Sequence, residues 1–410
     1  MLIKNIKQLV QIRTLSKPLK GSDMQNIPTI DNAWLHIKGD KIEAFGKMDN
    51  CPEFNDEQII DASGKLVLPA YIDSHTHLVY AAPREEEFVM RLKGKTYQEI
   101  AAAGGGILNS AQKLQNTSAE ALYESAWKRL QEVVSMGTGA IEIKSGYGLN
   151  VDAELKMLRV IKKLKKNSPI PIKATFLGAH AFPTAYKNKR QDYINLIINE
   201  MLPKIAKEGL ADYIDAFCEK IAFSVEETAQ IIEAGAKYGL KAKIHTNQFN
   251  CMGGIELCVE KGALSVDHLE VINESEIAAL RQSNTIATLL PTAPFFLNDT
   301  YQDARKIIDA GVAVAIASDY NPGSTPSGNM NFAISLACIK LKMTPEEAIN
   351  AVTANAAFAL EMQNDMGSID IGKKANLILT EEIPSMAFMP YSFGRNHIDQ
   401  IIINGKIYQQ

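Results

Sequence analysis

Leu66-Val67-Leu68-Pro69-Ala70-Tyr71-Ile72-Asp73-Ser74-His75-Thr76-His77 is an apolar run that ends in an acid and two histidines one residue apart. Its apolar part is continuous rather than alternating, as in a strand buried on both faces. The pattern recurs at Thr138–Ser145, Ile170–Gly178, Tyr213–Glu219, Lys241–Thr246, Leu264–Leu269, Thr285–Pro291 and Val312–Asp319. With Leu66–Ile72 these are eight runs, separated by longer stretches of helical period. Thr117 with Glu120, and Ser224 with Glu227, have the spacing of a capping box, which satisfies free backbone donors at a helix start. Thr344-Pro345-Glu346-Glu347 places proline at the first helical position, where its missing N–H costs nothing. Ala121, Leu122, Ala126, Leu130, Val133 and Val134 form the apolar stripe of an amphipathic helix.

Eight strand–helix units in about 250 residues predict an α/β chain folded as a (β/α)8 TIM-like barrel. An open doubly wound sheet is the other candidate. It lacks a G-x-G-x-x-G turn after a first strand, since Gly104-Gly105-Gly106 follows a helical segment. The chain ends read differently. Ala33–Lys38, Lys41–Phe45 and Gln58–Ile60 are short alternating runs with turn signals between them, and residues 367–380 and 398–409 resemble them, with Asn404-Gly405 as a hairpin turn. Residues 1–64 plus 362–410 are therefore expected to form one small β-sandwich domain beside a barrel of residues 65–361.

Composition narrows the function classes. Of 410 residues, 46% are hydrophobic and 22% charged, which suits a soluble globular chain. Lys+Arg (43) nearly balances Asp+Glu (47), so no basic footprint for nucleic acid is expected. The N-terminal MLIKNIKQLVQIRT lacks the features of a secretory signal, and no run is long enough to span a membrane. Five cysteines without a CxxC read as reduced thiols in a cytoplasmic protein.

In a barrel the functional groups sit at the C-terminal strand ends, where the loops converge. Five of the seven histidines fall there: His75, His77, His180, His245 and His268. His36 and His397 fall in the terminal segments and read as structural. Side chains alternate along a strand, so His75 and His77 share a face. Two neutral imidazoles, a third from His245 and the carboxylate of Asp319 form an N3O set that suits a borderline metal ion and leaves room for water. Such an ion activates water for hydrolysis of a C–N bond at a carbonyl or amidine carbon. Asp319 is the candidate for taking the water's proton, and His268 for polarising the substrate or relaying a proton.

The motifs resemble a known family. Pro69–His77 and Gly367–Leu377 are similar to the first-strand and C-terminal motifs of the amidohydrolase superfamily. His75–Tyr80, Arg84–Phe88, Arg91–Gly94, Tyr97, Glu99-Ile100, Gly104–Ile107, Lys144–Leu149, Phe217–Lys220, Asp267–Glu270 and Ser318–Ser324 resemble its imidazolonepropionase family. The resemblance implies ring opening of 4-imidazolone-5-propanoate by water, giving N-formimidoyl-L-glutamate in histidine degradation. It implies one divalent or trivalent metal ion per chain, zinc or iron, on His75, His77, His245 and Asp319. It implies substrate contacts by Arg84, Tyr147, His180, Gln248, Asn321, Gly323 and Ser324, and a homodimer. The Arg84 guanidinium suits the propionate carboxylate of that substrate.

One departure stands out. The family commonly carries an acid two or three positions after the strand-five histidine, cast as an acid–base group. Here the positions hold Asn247 and Gln248. An amide orients by hydrogen bonds but exchanges no proton, so the proton traffic is expected to pass through Asp319 and His268, with Gln248 orienting the substrate. Two alternatives remain open at this point. One is another amidohydrolase on a cyclic amide or amidine, including a binuclear one with Lys220 carboxylated; the other is a catalytically weak ligand-binding barrel.

Overall fold

The run Leu66–Ile72 is two strands. Lys65–Pro69 belongs to a sheet built from both chain ends, and Tyr71–Asp73 is the first strand of the barrel. Gln8 and Leu9 run parallel to Leu66 and Val67, and Leu377–Leu379 run antiparallel to Val67–Pro69. Tyr71–Asp73 pairs instead with the strand that starts at Thr138. An unbroken apolar run cannot reveal this, because both strands are buried. The computed structural model describes residues 1–55, 58–95, 99 and 105–409. Tyr97, Ile100 and Gly104 of the family motif lie outside them.

The remaining barrel strands are Thr138–Lys144, Ile172–Ala179, Tyr213–Cys218, Lys241–Thr246, Ser265–His268, Ile286–Leu289 and Val314–Ile316. Every neighbouring pair is parallel. The ring closes between its first and last members just past their ends. Thr76 bridges Tyr320, His77 N–H donates to Tyr320 O (2.9 Å), and Asp319 N–H donates to His75 O (3.0 Å). The segments that carry three of the expected metal ligands are thus the ones that close the barrel.

The terminal sheet is mixed. Its order is Lys406–Ile407, Ile398–Ile403, Leu377–Glu382, Lys65–Pro69, Leu2–Val10, Thr29–Lys38, Lys41–Lys47, with Ile59–Asp61 beside Leu2–Val10. Asn404 and Gly405 both have left-handed backbone (φ 49° and 74°) and turn the hairpin. Ile3, Ile6, Leu9, Leu35, Val67, Leu377 and Ile402 pack the sheet's own core.

Two helix starts behave as read: Ser224 with Glu227 forms a reciprocal capping box, and Pro345 opens its helix, where Thr344 and Glu347 form a capping box as well. Thr117 does not cap. Its hydroxyl donates back to Lys113 O (2.7 Å), and Ser118 caps the next helix by accepting from Ala121 N–H (3.2 Å). That register leaves Ala121 exposed and buries Leu122, Ala126, Leu130, Val133 and Val134. Among the described residues no helix is long and apolar enough to cross a membrane.

Sheet and barrel meet at Gly137, the residue before the second barrel strand. Its φ is 99°, and a Cβ there would come within 2.7 Å of Ile398 Cδ1 and 2.8 Å of Ile378 Cδ1. Gly137→Ala therefore combines backbone strain with overpacking and is expected to cost about 2–4 kcal/mol. Denaturant unfolding measures this; a loss under about 1 kcal/mol would mean the junction yields freely.

Candidate metal centre and active site

Strand geometry brings the four expected ligands together. His75 and His77 leave the first strand, His245 lies in the fifth and Asp319 follows the eighth; all four are buried. His77 Nε2 lies 3.2 Å from His245 Nε2. Asp319 Oδ1 lies 3.6 Å from both His75 Nε2 and His77 Nε2. On a tetrahedral ion with bonds of about 2.0–2.2 Å, neighbouring donors stand about 3.3–3.6 Å apart. The donor set fits one ion. His75 Nε2 is buried with no hydrogen-bond partner among the described residues, as expected of a lone pair reserved for a cation.

Two of the opposite ring nitrogens are held from below. His75 Nδ1 donates to Asp267 Oδ2 (2.7 Å), and His245 Nδ1 donates to Asp215 Oδ2 (2.7 Å). Each bond places the proton on Nδ1 and turns Nε2 toward the site. Burial, then the nearby Lys144 ammonium, pushes His75 and His245 well below the ordinary imidazole range; burial and the facing His245 do the same for His77. All three are neutral at pH 7, the form that binds a metal. Burial pushes the Asp319 carboxyl up to about 6; a bound cation would act in the opposite direction.

His268 lies beside the cluster, its ring 5.3 Å from that of His245 and 5.8 Å from that of His75. Burial depresses its imidazolium, but Glu270, with Oε1 3.3 Å from Nδ1, and Asp319 outweigh this and raise it to about 9. This cationic histidine differs in kind from the three neutral ones.

His180 stacks on His77 with ring centres 5.4 Å apart, and Tyr147 lies 5.4 Å from His180. His180 Nδ1 donates to Gly146 O (3.0 Å), which leaves Nε2 unprotonated, and burial lowers its pKa to about 4. The Tyr147 loop is rigid because Glu154 accepts from Gly146, Gly148 and Leu149 N–H (3.1, 2.7 and 3.0 Å).

Arg84 gives one edge of its guanidinium to Glu87, Nε to Oε1 (2.9 Å) and Nη2 to Oε2 (2.7 Å). Its Nη1 side lies against Gly323, where a Cβ would come within 2.2 Å. The Nη1 side is what remains for a ligand. The Asn321 amide is spent on its own turn: it donates to Asp319 O (2.7 Å) and Ser324 Oγ (2.8 Å) and accepts from Gly323 and Ser324 N–H (2.7 and 2.8 Å). Ser324 Oγ also donates to Asp319 Oδ2 (3.3 Å). Gln248 is half-buried and makes no hydrogen bond within the described residues. Glu219 accepts from the next two backbone amides, Phe249 and Asn250 (2.8 and 3.2 Å), and so anchors its loop. Lys220 is exposed.

Glu87, Glu154, Asp215 and Glu270 carry geometry to which the sequence reading gave no role. Glu87 and Glu270 stand inside the family motifs quoted above, and Asp215 left a signal, a lone acid inside the apolar run Tyr213–Cys218. Glu154 lies in a helix, where an acid has no distinguishing pattern.

The amidohydrolase family pattern matches residues 66–408. An imidazolonepropionase of Christiangramia forsetii is 57% identical over 408 residues, covering 99% of each chain. One from Flavobacterium johnsoniae is 58% identical over 407 residues, again 99% of each. One from Alkaliphilus metalliredigens is 41% identical over 410 residues, 99% of this chain and 97% of that one. Among solved structures, 5-methylcytosine deaminase from Klebsiella pneumoniae superposes with a TM-score of 0.75 at 16% identity, covering 100% of this chain and 97% of that one. A triazine hydrolase variant reaches 0.74 at 15% identity, covering 99% and 94%; both likenesses concern the fold alone. With relatives at this identity along nearly the whole chain, and the family pattern running through the barrel, the chain belongs to the amidohydrolase family and, within it, to the imidazolonepropionases.

Proposed function

We propose that the chain hydrolyses a ring C–N bond of 4-imidazolone-5-propanoate to give N-formimidoyl-L-glutamate, with one zinc or iron ion held by His75, His77, His245 and Asp319. The meeting of three neutral imidazoles and one carboxylate at the barrel mouth carries this reading. A bound ion of this kind lowers the pKa of water from ~15.7 towards ~7 and polarises a carbonyl. Water oxygen joins the ring carbonyl carbon, the carbon–nitrogen bond breaks, and the nitrogen leaves with a proton.

The residues divide that work. Asp319, steadied by Ser324, takes the proton of the attacking water. His268, charged through Glu270, supplies one to the leaving nitrogen. Arg84 meets the propionate with the guanidinium side that Glu87 leaves open. Tyr147 and His180 wall the ring, and Gln248 orients it as an amide. Gly323 and Ser324 line the turn beside Asp319, and Asn321 holds that turn in shape. Asp319 and His268 thus do the proton work without an acid at 247 or 248. The five cysteines are unpaired, which suits a reducing cytoplasm.

Elemental analysis and an imidazolone assay on one sample test the reading. About one metal per chain and loss of the ring chromophore above the spontaneous rate are expected, with activity lost on chelation and restored by zinc or iron. A metal-free chain that still turns over would refute it. Asp319→Ala removes a ligand and the base together, so kcat/KM should fall roughly a thousandfold or more and bound metal should drop. Normal metal content with normal turnover would contradict both roles. Gly323→Ala drives a methyl into Arg84 Nη1. It should raise KM by displacing the guanidinium while leaving bound metal unchanged; an unaltered KM would remove Arg84 from the binding site.

A further inference from the structure

Beneath the imidazoles, inside the barrel, lie five charged side chains without solvent exposure: Glu142, Lys144, Asp215, Lys243 and Asp267. They carry one net negative charge if all are ionised. The two ammoniums do different things. Lys144 Nζ is 2.9 Å from Asp215 Oδ2 and 3.7 Å from Asp267 Oδ2, the same two oxygens that accept Nδ1–H from His245 and His75. It is also 2.9 Å from Glu142 Oε1. Lys243 Nζ reaches Asp267 through a hydroxyl: it donates to Ser265 Oγ (2.8 Å), which donates to Asp267 Oδ1 (2.6 Å), and it touches neither oxygen that holds an imidazole; Glu142 Oε2 lies at 3.8 Å.

We propose that Lys144 is a positioning residue for the metal site: its ammonium is the common counter-ion of Asp215 and Asp267, and through them it holds His75 and His245 with Nε2 facing the ion. Two carboxylates this close repel unless a cation stands between them. Without it, the two carboxylates repel and one rotates away, and the imidazole it holds loses its acceptor. Lys144 also fills ground that a second ion could take. His75, Glu142 and Asp267 have ligand spacing of their own, and the ammonium sits between the two carboxylates of that cluster. The inference rests on the ligand set proposed above.

Two charge-balanced variants test it. Lys144→Met with Glu142→Gln, and Lys243→Met with Glu142→Gln, each remove one buried ammonium and one carboxylate, so each keeps the net charge. Both are loaded with zinc, dialysed against buffers of fixed free zinc, and assayed for bound zinc by elemental analysis. The Lys144 pair is expected to bind zinc about 10- to 100-fold more weakly than the wild type, the usual cost of disturbing a ligand's outer partner. The Lys243 pair keeps the ammonium between Asp215 and Asp267 and is expected to bind zinc more tightly than the Lys144 pair. Equal zinc affinity in the two pairs, or wild-type affinity in the Lys144 pair, overturns the role of Lys144. Wild-type protein that takes up no zinc or iron fails the ligand set instead. Should the Lys144 pair not fold, metal-free wild-type protein with nitrogen-15 histidine decides: His75 and His245 protonated on Nδ1 support the arrangement, and either one protonated on Nε2 overturns it.

Discussion

The centre of this molecule is a buried ionic lattice that the proposed metal site stands on. Five charges in a dry interior are expensive, since each loses several kcal/mol of hydration that mutual attraction must offset. An apolar core would be at least as stable. What the lattice supplies is direction. Asp215 and Asp267 each hold an imidazole by its Nδ1–H, and the Lys144 ammonium between them offsets their mutual repulsion. Removing one member leaves another buried and unmatched, which is the costly case. The apolar shell around the barrel gives stability, and the polar centre gives aim.

Backbone strain collects at the same level. Asn247, His268, Leu269 and Asp319 all have left-handed φ (58°, 95°, 59° and 55°), and each lies at or within three residues of the end of a barrel strand. Such conformations cost of order 1–3 kcal/mol each for residues other than glycine and persist only where surroundings over-determine them. Asp319 shows how. Its N–H bonds to His75 O, its carbonyl accepts from Asn321, and its carboxylate accepts from Ser324. A residue held at two backbone points and one side-chain point presents its carboxylate to the proposed metal site with little freedom left, so little entropy is lost when it binds.

Much of this was legible in the residues because strand ends are the one place in a barrel where polar residues have no packing reason to be. Histidines there stood out against apolar runs, and alternation put His75 and His77 on one side. The eightfold count followed from continuous apolar runs. The failures have equally local causes. Leu66–Ile72 could not be divided, because both of its strands are buried and only pairing partners distinguish them. Leu2–Val10, central to the terminal sheet, mixes buried and polar positions with a bulge between Ile3 and Ile6, which blurs its period. Thr117 has the spacing of a capping box with Glu120, but its hydroxyl bonds back to Lys113 O and the neighbouring Ser118 caps the helix instead.

The amide at position 247 is explained by the same economy. Asn247 sits at φ 58°, a region that asparagine tolerates better than most residues. Its side chain closes the loop, accepting from Thr246 Oγ1 (2.9 Å) and donating to Val271 O (3.1 Å). A carboxylate there would face the Val271 carbonyl with no proton to offer and would add a buried negative charge beside a lattice already in deficit of cations. Position 247 is therefore a backbone position whose chemistry is set by a turn. In the mechanism proposed above, proton exchange falls to groups whose surroundings push them apart: a neutral trio for the ion, a carboxylate at Asp319, and a cationic His268 sustained by Glu270. Environments that separate the titration of neighbouring groups are how one site holds both an acid and a base.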